Sequence, residues 1–299
     1  MTLNQTAEQA GDLVAPLRSP QGGFAMLALD QRASLRRMFP VVDGREADDD
    51  ALRSFKQTAA RILTPYASAV LLDRPYAVTE RRPEEVAPDC ALILAADVLH
   101  QPPGQPVLDT TLDTEVTAAF IRQVGAVAIK LLVIWRPDGH EERRAELVRS
   151  FLAVAREAGV ASLVEAVSQP RIGETWDTPA SRQQAVLDAA REIAPLGGSV
   201  YKAQVPGYLP GDVSAVRAFA ETLSEIVAMP WVVLSNGVEQ DDFAPAVRQA
   251  CLGGAHGFLA GRAIWADTVA DPDPAGALAG RSTQRLRALA DIVAETRKP

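Results

Sequence analysis

Eight short apolar runs, each followed by a longer polar or amphipathic segment, are the feature that most restricts the fold of this sequence. They are FAMLALD (24–30), SAVLLD (68–73), ALILAAD (91–97), AVAIKLL (126–132), SLVEAV (162–167), SVYKAQV (199–205), WVVLS (231–235) and GFLAG (257–261). Several intervening segments, such as EERRAELVRSFLAVAREAG, carry apolar residues at spacings of three and four and end at glycine, which predicts helices. Apolar strands that alternate with helices are typical of a parallel sheet covered by helices.

Eight such units in 299 residues predict a single-domain α/β protein, a (β/α)8 TIM barrel over residues 1–299 with a short N-terminal extension of about residues 1–22. An open doubly wound sheet is disfavoured because no G-x-G-x-x-G follows the first run. The third unit is irregular. HQPPGQPVLDTTLDTE predicts a long loop before the next helix, and this loop is either a lid or an irregular connection.

Charge and cysteine content exclude several function classes. The net charge is −8, and no run of Lys or Arg exceeds two residues, so we expect neither nucleic-acid nor anionic-membrane binding and predict a small-molecule partner. The two cysteines, Cys90 and Cys251, form no CxxC, which argues against a disulfide framework or a cysteine zinc site and favours the cytoplasm. Residues 1–20 show no leader pattern, and no apolar stretch is long enough to predict a membrane span.

A polar or charged residue stands near the C-terminal end of every apolar run. These residues are Asp30, Asp73, Asp97, Lys130, Glu165, Lys202, Ser235 and Arg262. A (β/α)8 barrel builds its active site at that end of its strands. For Asp73 and Asp97, a role as the N-cap of the next helix is equally well supported. Lys130 and Lys202 are flanked by apolar residues, so each either extends between strand and helix or faces the barrel mouth.

Two lysines in one barrel mouth indicate Schiff-base chemistry, because a lysine beside a second cation in a low-dielectric site is driven toward the neutral, nucleophilic amine. Metal-dependent chemistry is the competing hypothesis. The three histidines are isolated from one another, but magnesium bound by Asp30, Asp73 and Asp97 stays open as the weaker alternative. No G-x-S-x-G elbow is present, so a serine hydrolase is not predicted.

The last two strands end in stretches that can bind an anion. SNG (235–237) and LAGR (259–262) combine glycine with polar side chains, so backbone N–H groups and a guanidinium can approach a phosphate. The alternative is that these glycines are turn residues. Loops at this position hold phosphate in many such barrels. We therefore predict a phosphorylated keto compound, bound by Gly237, Gly261 and Arg262 with Ser235 nearby.

Six blocks of the sequence carry a family resemblance. They are FAMLALDQRASLRRMF, TPYASAVLLD, AIKLLVIWRPD, SVYKAQVP, MPWVVLSNGV and GGAHGFLAGRAIWA. Together they resemble the class I aldolases of the tagatose-1,6-bisphosphate aldolase group, and within it most closely the sulfofructosephosphate aldolases. The resemblance implies cofactor-free, metal-independent cleavage of 6-deoxy-6-sulfofructose 1-phosphate to dihydroxyacetone phosphate and 3-sulfolactaldehyde. Tagatose or fructose 1,6-bisphosphate is the alternative substrate, and we expect a homo-oligomer.

The resemblance also implies a role for each matching residue. Lys202 is the expected Schiff-base former and Lys130 its charged neighbour. Glu165 matches the acid/base carboxylate, and Asp30 and Gln31 would contact substrate hydroxyls.

Two departures from the family pattern, and two rival functions, complete the prediction. Gln204 stands where relatives carry an acidic residue, and Ala166 where they carry proline, which leaves the detailed proton transfers open. A phosphosugar isomerase or epimerase would use the same carboxylate and lysines without an imine. A non-catalytic sugar-phosphate binder would keep the anion site alone.

Overall fold

Parallel strand pairing closes a barrel in this protein. The structure, a computed structural model, describes residues 13–102 and 105–296. The strands are β1 (Phe24–Ala28), β2 (Ala69–Leu72), β3 (Ala91–Ala95), β4 (Asp97–His100), β5 (Asp109–Leu112), β6 (Ala128–Trp135), β7 (Ala161–Ser168), β8 (Val200–Gln204), β9 (Trp231–Leu234) and β10 (Gly257–Ala260). Around the barrel their order is β1-β10-β9-β8-β7-β6-β3-β2. The predicted single-domain (β/α)8 barrel is confirmed.

Helices cover the outside of the barrel. They are α1 (Ala33–Arg36), α2 (Asp49–Leu63), α3 (Ala118–Gln123), α4 (Glu141–Ala158), α5 (Pro179–Ile193), α6 (Val216–Ile226), α7 (Gln240–Leu252), α8 (Arg262–Trp265), α9 (Pro274–Ala277) and α10 (Thr283–Thr296). Capping residues mark the start or the end of several helices. The Asp48 side chain accepts a bond from the Ala51 amide at the start of α2, and Gly159, with φ +74°, ends α4. The connection over residues 73–90, all of which the structure describes, contains no helix.

Strand β6 is longer than the sequence pattern predicted. It continues to Trp135, because the residues after Leu132 remain apolar and pair with β7 as far as Ser168. Lys130 is therefore the third residue of an eight-residue strand, and the prediction that it stands near the strand end is corrected. The Lys130 side chain therefore extends from a position nearer the middle of the barrel than the C-terminal ends of the strands.

The segment after β3 is not the loop that the sequence predicted. Strands β4 and β5 form an antiparallel ribbon in which Asp97 lies opposite Leu112, and the ribbon packs beside β6 and α4. Asp97 thus belongs to a strand and does not cap a helix. Val98, Thr110 and Thr111 are β-branched residues, which are enriched in strands, but the proline-rich segment between the two strands masked this signal.

Apolar side chains pack on both faces of the barrel sheet. A large cluster fills the space between the strands and the helices, and a smaller one fills the barrel interior with residues such as Met26, Leu163 and Leu259. Val14 and Leu17, from the described part of the N-terminal extension, belong to the interior cluster. Residues 1–12 of that extension lie outside the described residues. Among the residues that the structure describes, no helix combines the length and the apolar character needed to cross a membrane.

Candidate active site

The period-two alternation of strand side chains decides which residues face the barrel interior. Lys130, Glu165 and Lys202 each follow, by two positions, a residue of the apolar interior, namely Ala128, Leu163 and Val200. Alternate residues of a strand share one face, so the three charged side chains stand on that apolar floor. Glu165 pairs in register with Lys202 across β7 and β8.

Three carboxylates surround the ammonium of Lys130. Its Nζ lies 2.8 Å from Asp30 Oδ2, 3.1 Å from Asp97 Oδ2 and 3.0 Å from Glu165 Oε2. All four side chains are buried or nearly so. A buried ammonium is tolerated when such partners compensate the lost hydration, so Lys130 is held in place as a fixed cation.

Lys202 is much less constrained. Its Nζ donates to Glu165 Oε2 at 3.0 Å, and among the described residues this is its one ion pair. The same carboxylate oxygen therefore contacts both lysines. Glu165 stands where it can take a proton from Lys202 while Lys130 keeps its own.

The electrostatics of the cluster agree with these contacts. Burial opposes the charge of Lys130, but Asp30, Asp97 and Glu165 outweigh it and hold the pKa of Lys130 well above its usual value. Burial likewise opposes ionisation of Glu165 and Asp30, yet Lys130 and Lys202 hold the pKa of each carboxyl below its usual value. Both carboxylates are thus ionised at neutral pH.

Further charged side chains, Arg32, Asp73 and Lys56, are paired next to Asp97. Arg32 donates to the Asp97 carbonyl at 2.7 Å and to its carboxylate at 3.2 Å, and its Nε lies 3.8 Å from Asp73. Asp73 is hydrogen-bonded to the buried Lys56 of α2, so it is an ion-pair partner and not a helix cap. Sequence reasoning missed Arg32 and Lys56. The detectable signal was that Lys56 occupies a core-facing position of α2, between Phe55 and Ala59.

A cavity of about 480 Å³ opens above the charge cluster. Its described lining comprises Asp30, Gln31, Ser34, Arg37, Leu99, Gln101, Gln105, Pro106, Val107, Lys130, Leu132, Ile134, Glu165, Val167, Gln169, Lys202, Asn236 and Arg262. The buried Oε1 of Gln31 has no hydrogen-bond partner there, which suits it to accept a bond from a ligand hydroxyl. The cavity brings together six of the nine predicted site residues: Asp30, Gln31, Lys130, Glu165, Lys202 and Arg262.

The predicted anion site is partly rearranged. Arg262 lines the cavity and donates to the side chain of Asn236, a residue that the sequence analysis passed over although it lies between Ser235 and Gly237. Gly261 stands immediately beside the cavity, where a Cβ would overlap the carbonyl oxygen of Ala28. Close backbone approach therefore requires glycine at position 261.

Ser235 and Gly237 do not line the cavity. The carbonyl of Ser235 accepts from the amide of Val238 in a turn. Gly237 has φ +76°, which glycine adopts without strain, and its carbonyl accepts a bond from Arg182 at 3.4 Å. At Gly237 the turn alternative describes the structure better than a side facing the ligand.

Gln204 does not line the cavity either. Its Oε1 accepts from the amide and hydroxyl of Ser168, at 2.8 and 2.7 Å. The neutral amide therefore joins the ends of β7 and β8 and takes no part in the charge cluster around Lys202.

Sequence comparison decides the family. Residues 24–267 match the family described as DeoC/LacD family aldolase. The chain belongs to this aldolase family. An aldolase is a carbon–carbon lyase, and aldolases act on small molecules. The isomerase, epimerase and non-catalytic hypotheses have no comparable support.

Relatives of the aldolase carry names that specify a substrate. It is 29% identical over 279 residues to a tagatose 1,6-diphosphate aldolase of Listeria monocytogenes serotype 4b (strain CLIP80459), covering 85% of this chain and 80% of the relative. With tagatose 1,6-diphosphate aldolase 2 of Enterococcus faecalis (strain ATCC 700802 / V583) it shares 26% identity over 312 residues, which cover 94% and 92% of the two chains.

Solved structures share the barrel of this aldolase. An archaeal fructose 1,6-bisphosphate aldolase superposes with a TM-score of 0.66 at 17% identity, covering 96% of this chain and 99% of the other. A Plasmodium falciparum fructose-bisphosphate aldolase gives a TM-score of 0.72 at 13% identity, covering 99% and 96%. At such identities the likeness concerns the fold.

Proposed function

We propose that this aldolase is a class I enzyme in which Lys202 forms a Schiff base with the carbonyl of a ketose phosphate. The observation that carries the proposal is the unequal pairing of the two lysines. Lys130 is held by three carboxylates, whereas Lys202 shares one oxygen of Glu165. Lys202 can therefore lose its proton and move toward a carbonyl at the lowest cost in broken contacts.

The geometry supports a balanced sequence of proton transfers. Lys202 gives a proton to Glu165, 3.0 Å away, and the neutral amine attacks the carbonyl carbon. One proton then moves from the attacking nitrogen to the carbonyl oxygen, which gives the neutral carbinolamine. Glu165 returns the proton it took from Lys202 to the carbinolamine hydroxyl, which leaves as water and yields the protonated imine. Glu165, again a carboxylate, accepts the proton of the substrate's C4 hydroxyl while the C3–C4 bond breaks and the imine takes up the electron pair.

The neighbouring residues hold this machinery in place. Lys130 stays charged throughout and keeps Glu165 oriented, while Asp30 and Gln31 bind substrate hydroxyls. Glu165 returns the proton of the C4 hydroxyl to C3 of the enamine, and addition of water to the resulting imine releases dihydroxyacetone phosphate and regenerates Lys202. No step requires a metal or cofactor.

Borohydride trapping tests the imine. We expect reduction in the presence of dihydroxyacetone phosphate and EDTA to add covalent mass to the peptide that contains Lys202. The chain contains four lysines, Lys56, Lys130, Lys202 and Lys298, so peptide mass spectrometry assigns the adduct to one of them. An adduct on Lys130 would reverse the assignment, and the absence of any adduct would exclude an imine.

Arg262 is proposed to bind the C1 phosphate. We expect Arg262→Ala to raise KM for the ketose phosphate by about 30- to 100-fold, because a charge-assisted bond contributes roughly 2–3 kcal/mol. Arg262→Lys should recover part of the loss, since lysine lacks the planar fork. Steady-state kinetics measure both variants. Unchanged KM in Arg262→Ala would place the phosphate elsewhere.

The cations of the cavity support a sulfonate at the far end of the substrate. Its described lining holds Arg37, Lys130, Lys202 and Arg262 as cations, beside the amides of Gln31, Gln101, Gln105 and Gln169. With the lysines engaged in the charge cluster and Arg262 assigned to the C1 phosphate, Arg37 is the cation left for the other end. One guanidinium among amides suits a singly charged sulfonate better than a phosphate ester with nearly two charges. We therefore propose 6-deoxy-6-sulfofructose 1-phosphate as the substrate.

A comparison of kcat/KM tests the substrate. We expect a higher value for 6-deoxy-6-sulfofructose 1-phosphate than for tagatose or fructose 1,6-bisphosphate under one set of conditions. The names of the relatives favour tagatose 1,6-bisphosphate as the second candidate. An equal or higher kcat/KM for either bisphosphate would defeat the sulfo-sugar proposal and leave the Schiff-base proposal untouched.

A further inference from the structure

A cavity larger than the active-site cavity lies outside the active site. It measures about 870 Å³ and lies between the β4–β5 ribbon, the C-terminal half of β6 and the start of α4. Ile134 is the one residue that lines both this cavity and the active-site cavity. The walls of this larger cavity are of two kinds. Apolar side chains form one part, namely Leu108, Leu112, Val133, Ile134, Leu147 and Ile172. Charged side chains form much of the rest, namely Arg136, Arg143, Arg144 and Arg171 together with Asp109, Asp138 and Glu146.

Arg136 is the unusual member of this lining. Its side chain is 5% exposed, yet among the described residues no carboxylate forms an ion pair with it, and its buried Nε has no hydrogen-bond partner. The terminal nitrogens make long bonds to the carbonyls of Leu108 and Val107, at 3.5 and 3.4 Å, and a short one to Gln169. A buried guanidinium that contacts no anion is costly, so a ligand oxyanion in contact with Arg136 would be favourable there.

The remaining arginines differ in how far their charge is neutralised. Arg143 pairs with Asp109, and Arg144 pairs with both Asp138 and Glu192. Arg171 instead donates to the carbonyl of Pro137 at 2.9 Å, and the described residues give it no carboxylate partner. Arg136 and Arg171 thus line the cavity without an ion-pair partner of their own, while the carboxylates of Asp109, Asp138 and Glu146 line other parts of it.

We propose that this cavity is a second ligand site, which binds a small organic anion with its oxyanion head at Arg136 and Arg171 and its apolar body against Leu112, Val133 and Leu147. The start of α4, an 18-residue helix, lies at the same cavity and favours negative charge there. The proposal is independent of the Schiff base. Gln169 binds Arg136 and also lines the active-site cavity, so it and Ile134 connect the two sites.

Calorimetric titration with phenyl phosphate tests the second site. The protein should carry both Arg37→Gln and Arg262→Ala, so that neither of the proposed oxyanion-binding arginines of the active centre contributes. We expect one binding site to persist in this background and to bind inorganic phosphate more weakly than phenyl phosphate, because the apolar walls add contact area. Adding Arg136→Met should weaken phenyl phosphate binding at least about tenfold.

Two further variants keep the outcome interpretable. Arg171→Gln changes an exposed side chain that folding does not require, and should weaken binding about fivefold or more. Arg149→Gln removes an exposed arginine of α4 that pairs with Glu142 outside the cavity, and should leave binding unchanged. Absence of binding in the background that carries Arg37→Gln and Arg262→Ala, or binding that survives both Arg136→Met and Arg171→Gln in it, would overturn the proposal.

Discussion

Replacing Lys202 by methionine is expected to lower kcat at least about 10,000-fold, because the variant lacks the nitrogen that forms the imine. The variant should fold. Methionine matches the length of the lysine stem, and Glu165 keeps Lys130 as its partner at 3.0 Å, so no buried carboxylate is left unpaired. Cleavage of the ketose phosphate and borohydride trapping measure the effect.

Two measurements separate lost chemistry from lost structure in Lys202→Met. Its thermal unfolding and circular dichroism should resemble those of the unsubstituted protein, and dihydroxyacetone phosphate should still bind through Arg262. Substantial turnover in a folded Lys202→Met variant, or a trapped adduct that moves to Lys130, would contradict the assignment of the nucleophile.

Glu165→Gln is expected to lower kcat by about 100- to 10,000-fold, since the amide can neither take the proton of Lys202 nor return it to the carbinolamine. Burial works against its ionisation, but Lys130 and Lys202 hold the pKa of Glu165 below its usual value of 4.5. The carboxyl therefore does not titrate near neutrality, and the loss should be constant from about pH 6 to about pH 8. Rate profiles of both proteins across that range provide the measurement.

A variant at Gln204 supplies the matched control for Glu165→Gln. Gln204→Glu introduces a carboxylate at a position that binds Ser168 and does not line the cavity, so we expect kcat to change less than about tenfold. A rate loss in Glu165→Gln that varies steeply with pH, or full activity of that variant, would remove Glu165 from the proton transfers.

Much of the charge cluster was predictable because strand periodicity is a local property. An apolar run with a lysine or glutamate at an alternate position, as in AVAIKLL and SLVEAV, predicts one charged side chain on an otherwise apolar face. Parallel strands with helical connections place those faces inside one barrel. Lys130, Glu165 and Lys202 therefore followed from pattern and topology, before any distance was known.

Positions fixed by contacts between distant segments were not predictable in this way. The pairing of Lys130 with three carboxylates and of Lys202 with one depends on barrel register to within an ångström or two. Asn236 lines the cavity, whereas its predicted neighbours Ser235 and Gly237 do not. This difference depends on the backbone conformation of the turn, because rotation at one residue would change which side chain faces the cavity.

The sequence by itself determined the barrel, the lysine-rich mouth and the glycine–arginine end of the last strand, because each is written in residues close together along the chain. Tertiary structure alone decided three other features: the ribbon β4–β5, the support of Asp97 by Arg32, and the burial of Arg136 without an ion pair. The last two join segments tens of residues apart, and the ribbon pairs two strands across a proline-rich segment. The free energy of a buried charge depends on which groups surround it in space, and sequence spacing carries no record of those neighbours.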